Sequence, residues 1–155
     1  MKNIFSILFI GLILTSCSND NEDNVVVDTH VLLKYIDQNG NNILDQANGI
    51  ISSNIKVYHK VNNQWIEQNN TNMDNPQGFS VLERNSEKYL KLFPSHNFYD
   101  ANFSETKIQY SESELAIVKT QFDLSNENII CTKVWYNGNL KWEDNETERL
   151  IEIRK

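Results

Sequence analysis

The sequence predicts an all-β protein, an antiparallel β-sandwich, with a small β-barrel as the alternative architecture. Three observations carry that expectation. From Val25 onward, short alternating or apolar segments rich in Val, Ile, Tyr, Phe and Trp are punctuated by Asn, Gly, Ser and Asp, the pattern of strands and turns. About ten such segments fall in residues 25–155 with no tandem repeat and no low-complexity block. No segment offers a convincing helix.

Predicted strands cover residues 27–37, 43–46, 55–61, 78–83, 88–93, 106–111, 114–122, 128–136, 139–143 and 148–154. The firmest local element is the hairpin Lys133-Val134-Trp135-Tyr136-Asn137-Gly138-Asn139-Leu140-Lys141-Trp142, because Asn-Gly accepts the positive φ angles of a two-residue turn. That turn sets a register. Trp135 should face Leu140 and lie diagonal to Trp142, on one core-directed face with Ile129 and Cys131, while Tyr136 points away. The asparagine-rich stretch 62–76 is the longest weakly patterned connection and is expected to be the mobile loop.

The segment Val31-Leu32-Leu33-Lys34-Tyr35-Ile36-Asp37-Gln38-Asn39-Gly40-Asn41-Asn42-Ile43-Leu44, with Ile55-Lys56-Val57-Tyr58 after it, resembles the opening of prealbumin-like sandwich modules such as the carboxypeptidase regulatory domain. The likeness covers about 30 residues. It departs from the pattern in lacking a proline before Leu44 and in the intervening residues 45–54. It implies an immunoglobulin-like or prealbumin-like sandwich, and such modules are commonly binding or structural appendages.

A chain of 155 residues is expected to form one domain. Its start reads as an address. Lys2 is followed by the uncharged apolar stretch from Ile4 to Leu14 and then by Leu14-Thr15-Ser16-Cys17. Eleven helical residues reach about 16 Å, half of a hydrocarbon core, so this is a signal peptide and not a spanning segment. Leu14-Thr15-Ser16-Cys17 resembles the bacterial lipobox, which implies cleavage before Cys17 and lipid on its thiol. Two or more acyl chains make such an anchor effectively permanent.

The expected organisation is therefore a signal peptide over residues 1–16, a lipidated disordered tether over 17–26 and a single β-sandwich domain over 27–155. Ser18-Asn19-Asp20-Asn21-Glu22-Asp23-Asn24 contains no apolar residue, which suits a solvated tether. It is also similar to the acidic leader of surface-exported lipoproteins of the Bacteroidota. That likeness implies an outer-membrane protein displayed at the cell surface, with the periplasmic face as the alternative.

Charge excludes one class of partner. Removing residues 1–16 takes away Lys2 and leaves 13 basic against 21 acidic side chains, a formal charge of −8. Nucleic acid is disfavoured as a partner. With Cys17 lipidated, Cys131 has no partner for a disulfide, and its apolar run predicts a small buried side chain.

Residues of the right type for chemistry are present without the spacing it needs. Asp37-x-Asn39-x-Asn41, with Asp45 eight residues after Asp37, supplies hard oxygen ligands for calcium. The glycine falls at position four and Asn48 stands at position twelve, so a turn in which Asp and Asn bond their own backbone accounts for the same residues. His30, His59 and His96 are too far apart for a zinc motif; His59 reads as a half-buried strand residue beside Ile55, Val57 and Val61. His96 lies in the polar and aromatic loop of residues 93–100, which reads equally as a binding rim or as a well-packed connection.

Two acidic groups invite a glycosidase reading, Glu112 with Glu114 and Glu143, Asp144, Glu146 and Glu148. Both sit at predicted turns, where solvated acidic edges are ordinary. With five glycines in the chain, no phosphate-cradling loop or nucleophile elbow is present.

No catalytic, cofactor-binding or metal-binding residue is assigned; the one assigned site is lipidation at Cys17. The expected function is a non-catalytic binding, adhesion or accessory module on a lipid tether, with an unknown protein or glycan partner. For a glycan, Trp65, Phe98 and Tyr99 are the stacking candidates. The alternatives are a small secreted hydrolase acting on glycans and a structural subunit of an outer-membrane complex.

Overall fold

The computed structural model describes residues 25–144 and 148–155. The signal peptide, Cys17, most of the tether and Glu146 lie outside the described residues. Among the described residues eleven strands form two sheets, β1 (Val27–Asp28), β2 (Val31–Ile36), β3 (Lys56–Val61), β4 (Gln64–Glu67), β5 (Phe79–Arg84), β6 (Glu87–Leu92), β7 (Phe103–Gln109), β8 (Leu115–Asp123), β9 (Ile129–Tyr136), β10 (Asn139–Glu143) and β11 (Leu150–Arg154). The large sheet has the order β1-β9-β8-β7-β3-β4, with β10 also paired to β9, and the small sheet runs β11-β2-β6-β5. This is the expected all-β sandwich, and no closed barrel forms.

The sheets are mixed and not purely antiparallel. β1 pairs parallel with β9, and β11 pairs parallel with β2. The cause lies in the first strand. The predicted strand 27–37 is broken at Thr29-His30, where the chain leaves the large sheet and enters the small one, a sandwich corner. Arg149 fastens that corner: its guanidinium donates to the Asp28 carboxylate and to the backbone carbonyls of His30 and Cys131, while stacking 4.7 Å over the Trp142 ring.

The core lies between the sheets. Val31, Leu33 and Tyr35 of β2, Leu90 and Leu92 of β6, and Ile151 and Ile153 of β11 meet Val57, Ile108, Ala116, Val118 and Val134 of the large sheet. Alternate residues of β7 and β8 are buried, the period-two pattern of a one-faced strand. At one end, Tyr35, Tyr110 and Tyr136 form a buried chain of hydroxyls with oxygen separations of 2.7 and 2.9 Å.

Several predicted elements change. Residues 43–46 make only an isolated bridge, Leu44 to Ile50, in a tight loop where the Ile50 N–H donates to the Ile43 carbonyl and the Ile50 carbonyl accepts from the Asp45 N–H. The expected mobile stretch 62–76 begins as a hairpin: Asn62 and Asn63 both take positive φ, turning β3 back into β4. Asn85 and Ser86 do the same between β5 and β6. β7 starts at Phe103, three residues before the predicted strand.

The Asn137-Gly138 hairpin forms as expected, and Trp135 faces Leu140. Cys131 and Trp142 face the core as expected, whereas Trp135, Leu140 and Tyr136 face the opposite way from the expected one. An extra residue in β9, Thr132, lies between the pairs Gln121–Lys133 and Phe122–Cys131, and an extra residue in β10, Lys141, lies between Leu140 and Trp142. Each bulge reverses the side-chain alternation. Cys131, Val134, Tyr136 and Trp142 therefore point into the core, while Trp135 and Leu140 lie on the outer surface.

Candidate binding face

The outer surface of the large sheet interleaves lysines with aromatic rings. Alternation places Lys56, Tyr58 and Lys60 of β3 there, with Phe103, Glu105 and Lys107 of β7, Lys119 of β8, and Lys133 and Trp135 of β9. Register then draws one row across five strands. Trp65 pairs with Lys60, which bonds Glu105; Glu105 is opposite Lys119, and Lys119 is opposite Trp135. From β4 to β9 that row spans four strand spacings, about 19 Å.

Each carboxylate of this face is occupied by its own partners. Glu67 pairs with Lys56 at 3.6 Å, and Glu143 with Lys133 at 2.5 Å. Glu105 receives Lys60 at 2.5 Å on one oxygen and the Tyr99 hydroxyl at 3.1 Å on the other. Burial works to raise the Glu105 carboxyl, but the bonds from Lys60 and Tyr99 outweigh it and hold its pKa below the ordinary value. Tyr99, partly buried and facing that carboxylate, is pushed up to about 12.

Lys107 and Lys119 remain without a carboxylate in ion-pair contact among the described residues. Each ammonium is held by two rings instead. Lys107 lies 3.9 Å from the centre of the Tyr58 ring and 5.3 Å from Trp65. Lys119 lies 3.9 Å from Phe103 and 5.7 Å from Trp135. Ring quadrupoles attract the cation without cancelling its charge, so both ammoniums stay positioned and available to an anion.

Of the three aromatic candidates read from the sequence, Trp65 lies in this row and Tyr99 at its rim, where it meets Phe103 at 6.3 Å. Phe98 does not belong to it; its ring packs on Phe122 at 5.2 Å and against the core. Tyr58, Phe103, Trp135, Lys107 and Lys119 were missed. The signal available for them was the repeated alternation Lys56-x-Tyr58-x-Lys60, Phe103-x-Glu105-x-Lys107 and Lys133-x-Trp135.

The other candidates have local explanations. Asp37 accepts the backbone N–H groups of Asn39 and Asn41 at 2.8 and 2.9 Å and the Asn41 side-chain amide at 2.9 Å, the bonding of a turn closed by its own side chains. The Asn41 side chain and these backbone donors hold the Asp37 carboxyl below its usual range. Asp45 is engaged elsewhere, by the Ser52 N–H and by Lys88. Among the described residues no three His, Cys, Asp or Glu side chains are grouped to hold a metal.

His59 is half-buried and meets the Phe93 carbonyl at 3.2 Å through Nε2. His96 stacks on Phe98 and lines, with His59, Phe93, Pro94 and Met73, a hollow of about 600 Å³. Burial lowers the pKa of both imidazoles. His30 sits apart at the sandwich corner, 3.6 Å from Asp28. Glu114 pairs with Lys155, Glu143 with Lys133 and Glu148 with Arg84 in a two-point fork, so these acids stand singly against cations. Cys131 is fully buried, and burial pushes its thiol up to about 11. Beside it, Trp142 Nε1 and Arg149 Nε are buried without a hydrogen-bond partner among the described residues.

Comparison of the chain with protein-family models, with curated proteins and with solved structures finds no match.

Proposed function

We propose that this chain is a lipid-anchored cell-envelope protein whose sandwich is a non-catalytic binding module, and that its ligand is a glycan lying across the outer face of the large sheet. The observation that carries the reading is the row from Trp65 to Trp135. A sheet face bearing indole and phenol rings suits the apolar faces of sugar rings, and the neighbouring lysine, glutamate and glutamine side chains supply hydrogen bonds to hydroxyls. The lipobox-like segment ending at Cys17 supports the anchor.

Two measurements test the reading. Full-length protein extracted in detergent is run by affinity electrophoresis through gels containing neutral or acidic polysaccharides. Retardation by at least one polymer, lost in the Trp65→Ala/Trp135→Ala variant, is expected; migration unaffected by every polymer contradicts it. On intact cells, protease digestion of the wild-type protein, with release into the medium or periplasm for Cys17→Ala, is expected of a surface-displayed lipoprotein. Protection until lysis would place the domain on the periplasmic side.

A further inference from the structure

Resting on that reading, we infer that the glycan is a polyanion, an acidic polysaccharide whose carboxylate or sulfate groups pair with Lys107 and Lys119 while its sugar rings lie against the flanking aromatics. The argument begins with charge. The chain as a whole is acidic, with 21 acidic against 14 basic side chains, yet five lysines, Lys56, Lys60, Lys107, Lys119 and Lys133, emerge on this one sheet surface. Three of the five are matched by Glu67, Glu105 and Glu143 at its flanks and centre. Asp123, at the end of β8, is turned to the N–H and hydroxyl of Ser125.

Lys107 and Lys119 are what remain, and they stand next to each other. Lys107 pairs across to Ile117 and Lys119 to Glu105, so the two occupy diagonal positions on adjacent strands β7 and β8. Diagonal neighbours on one face of a pair are roughly 7–8 Å apart at the backbone. From those neighbouring backbone positions one ammonium is held over Tyr58 and Trp65 and the other over Phe103 and Trp135, so a chain of anionic groups laid across the face meets both. Each ammonium is already seated over a ring, so little side-chain freedom is lost on binding.

The same chemistry could in principle serve a single-stranded nucleic acid, which also stacks on aromatic rings. The observations favour the polysaccharide. Nucleic-acid affinity draws on many neutralised phosphates, whereas among the described residues this face offers two cations without a carboxylate in ion-pair contact and no arginine. A glycan with one charge per sugar or per pair of sugars matches that supply.

The test uses full-length protein in detergent and affinity electrophoresis against polygalacturonate, alginate and chondroitin sulfate. Polygalacturonate converted to its methyl ester supplies the same backbone without charge, dextran a neutral polymer, and oligo(dT) a polyanion that is not a glycan. Binding to at least one acidic polysaccharide is expected, weakened by added salt and by about tenfold in Lys107→Gln/Lys119→Gln. The control Lys34→Gln/Lys91→Gln, which removes two charges from the small sheet, should bind as the wild type does. Thermal melts of both variants check the fold, and the ester comparison needs no variant.

Equal binding to polygalacturonate and its methyl ester, or to dextran and every acidic polymer, overturns the polyanion inference and leaves the glycan module standing. Tighter binding to oligo(dT) than to any acidic polysaccharide overturns the choice of polymer. Binding to none of these polymers removes the inference and the proposed function together.

Discussion

Arg149 holds Asp28 in a two-point fork, with Nη1 3.2 Å from Oδ1 and Nη2 3.3 Å from Oδ2, at the place where the chain crosses from one sheet to the other. The guanidinium is buried and the carboxylate half exposed. Asp28→Ala is expected to destabilise the domain by about 1–2 kcal/mol, discounted from a fully buried charge pair for solvent screening and for the two carbonyls Arg149 keeps. Urea unfolding measures it. Arg149→Ala should cost more, because it also frees the carbonyls of His30 and Cys131 and uncovers Trp142.

Acid should weaken the same joint. The Arg149 hydrogen bond lowers the Asp28 pKa against an opposing effect of burial. A depressed folded-state pKa gives stability that is present above the unfolded value, near 3.8, and lost as pH falls through the folded value. The wild type should lose stability below about pH 4 more steeply than Asp28→Ala, as read from melting temperatures on a pH series.

A separate loss is expected nearer neutrality. Burial lowers the pKa values of His59 and His96, and for His59 the neighbouring His96 adds to it while the Phe93 carbonyl opposes. Neutral imidazoles are thus favoured in the folded state, and protons bind the unfolded chain more readily. Stability should decline as pH falls from the unfolded value of 6.5. In His59→Gln/His96→Gln the melting temperature between pH 7 and pH 5 should vary less than in the wild type.

Tyr110 stands between Tyr35 and Tyr136, so its hydroxyl serves two others inside the sandwich. Tyr110→Phe leaves both of those hydroxyls without that partner and should cost about 1–3 kcal/mol. Tyr136→Phe, which breaks one contact at the end of the chain of hydroxyls, should cost less. Chemical denaturation of the two variants ranks them.

How much of this was legible in the sequence follows from the range of each determinant. The Asn137-Gly138 turn is written in two adjacent residues, and the alternation of β7 and β8 in every second one, so both could be read directly. The turn at Asn62-Asn63 was equally local, but the asparagines that follow it masked β4. The direction of Trp135 was not legible, because bulges at Thr132 and Lys141 shift alternation by one residue and leave no residue-type signature. The parallel pairing of β11 with β2 joins segments more than 100 residues apart.

The binding face was half visible for the same reason. Trp65 and Tyr99 announce themselves as aromatic residues among polar ones. The cations at their side come from β7 and β8, and only sheet order brings Lys107 to Tyr58 and Trp65, or Lys119 to Phe103 and Trp135. A net acidic composition concealed a surface on which two lysines have no carboxylate in ion-pair contact among the described residues.

The most direct test of the central claim is a map of which lysines a bound polysaccharide shields. Full-length protein is labelled with an amine-reactive reagent with and without the polysaccharide that retards it most, and each lysine is quantified by peptide mass spectrometry. Protection of Lys60, Lys107 and Lys119, with Lys34, Lys88 and Lys91 of the small sheet labelled equally in both samples, is the expected result. Protection confined to the small sheet, or shared evenly by all lysines, would contradict the assignment of this face.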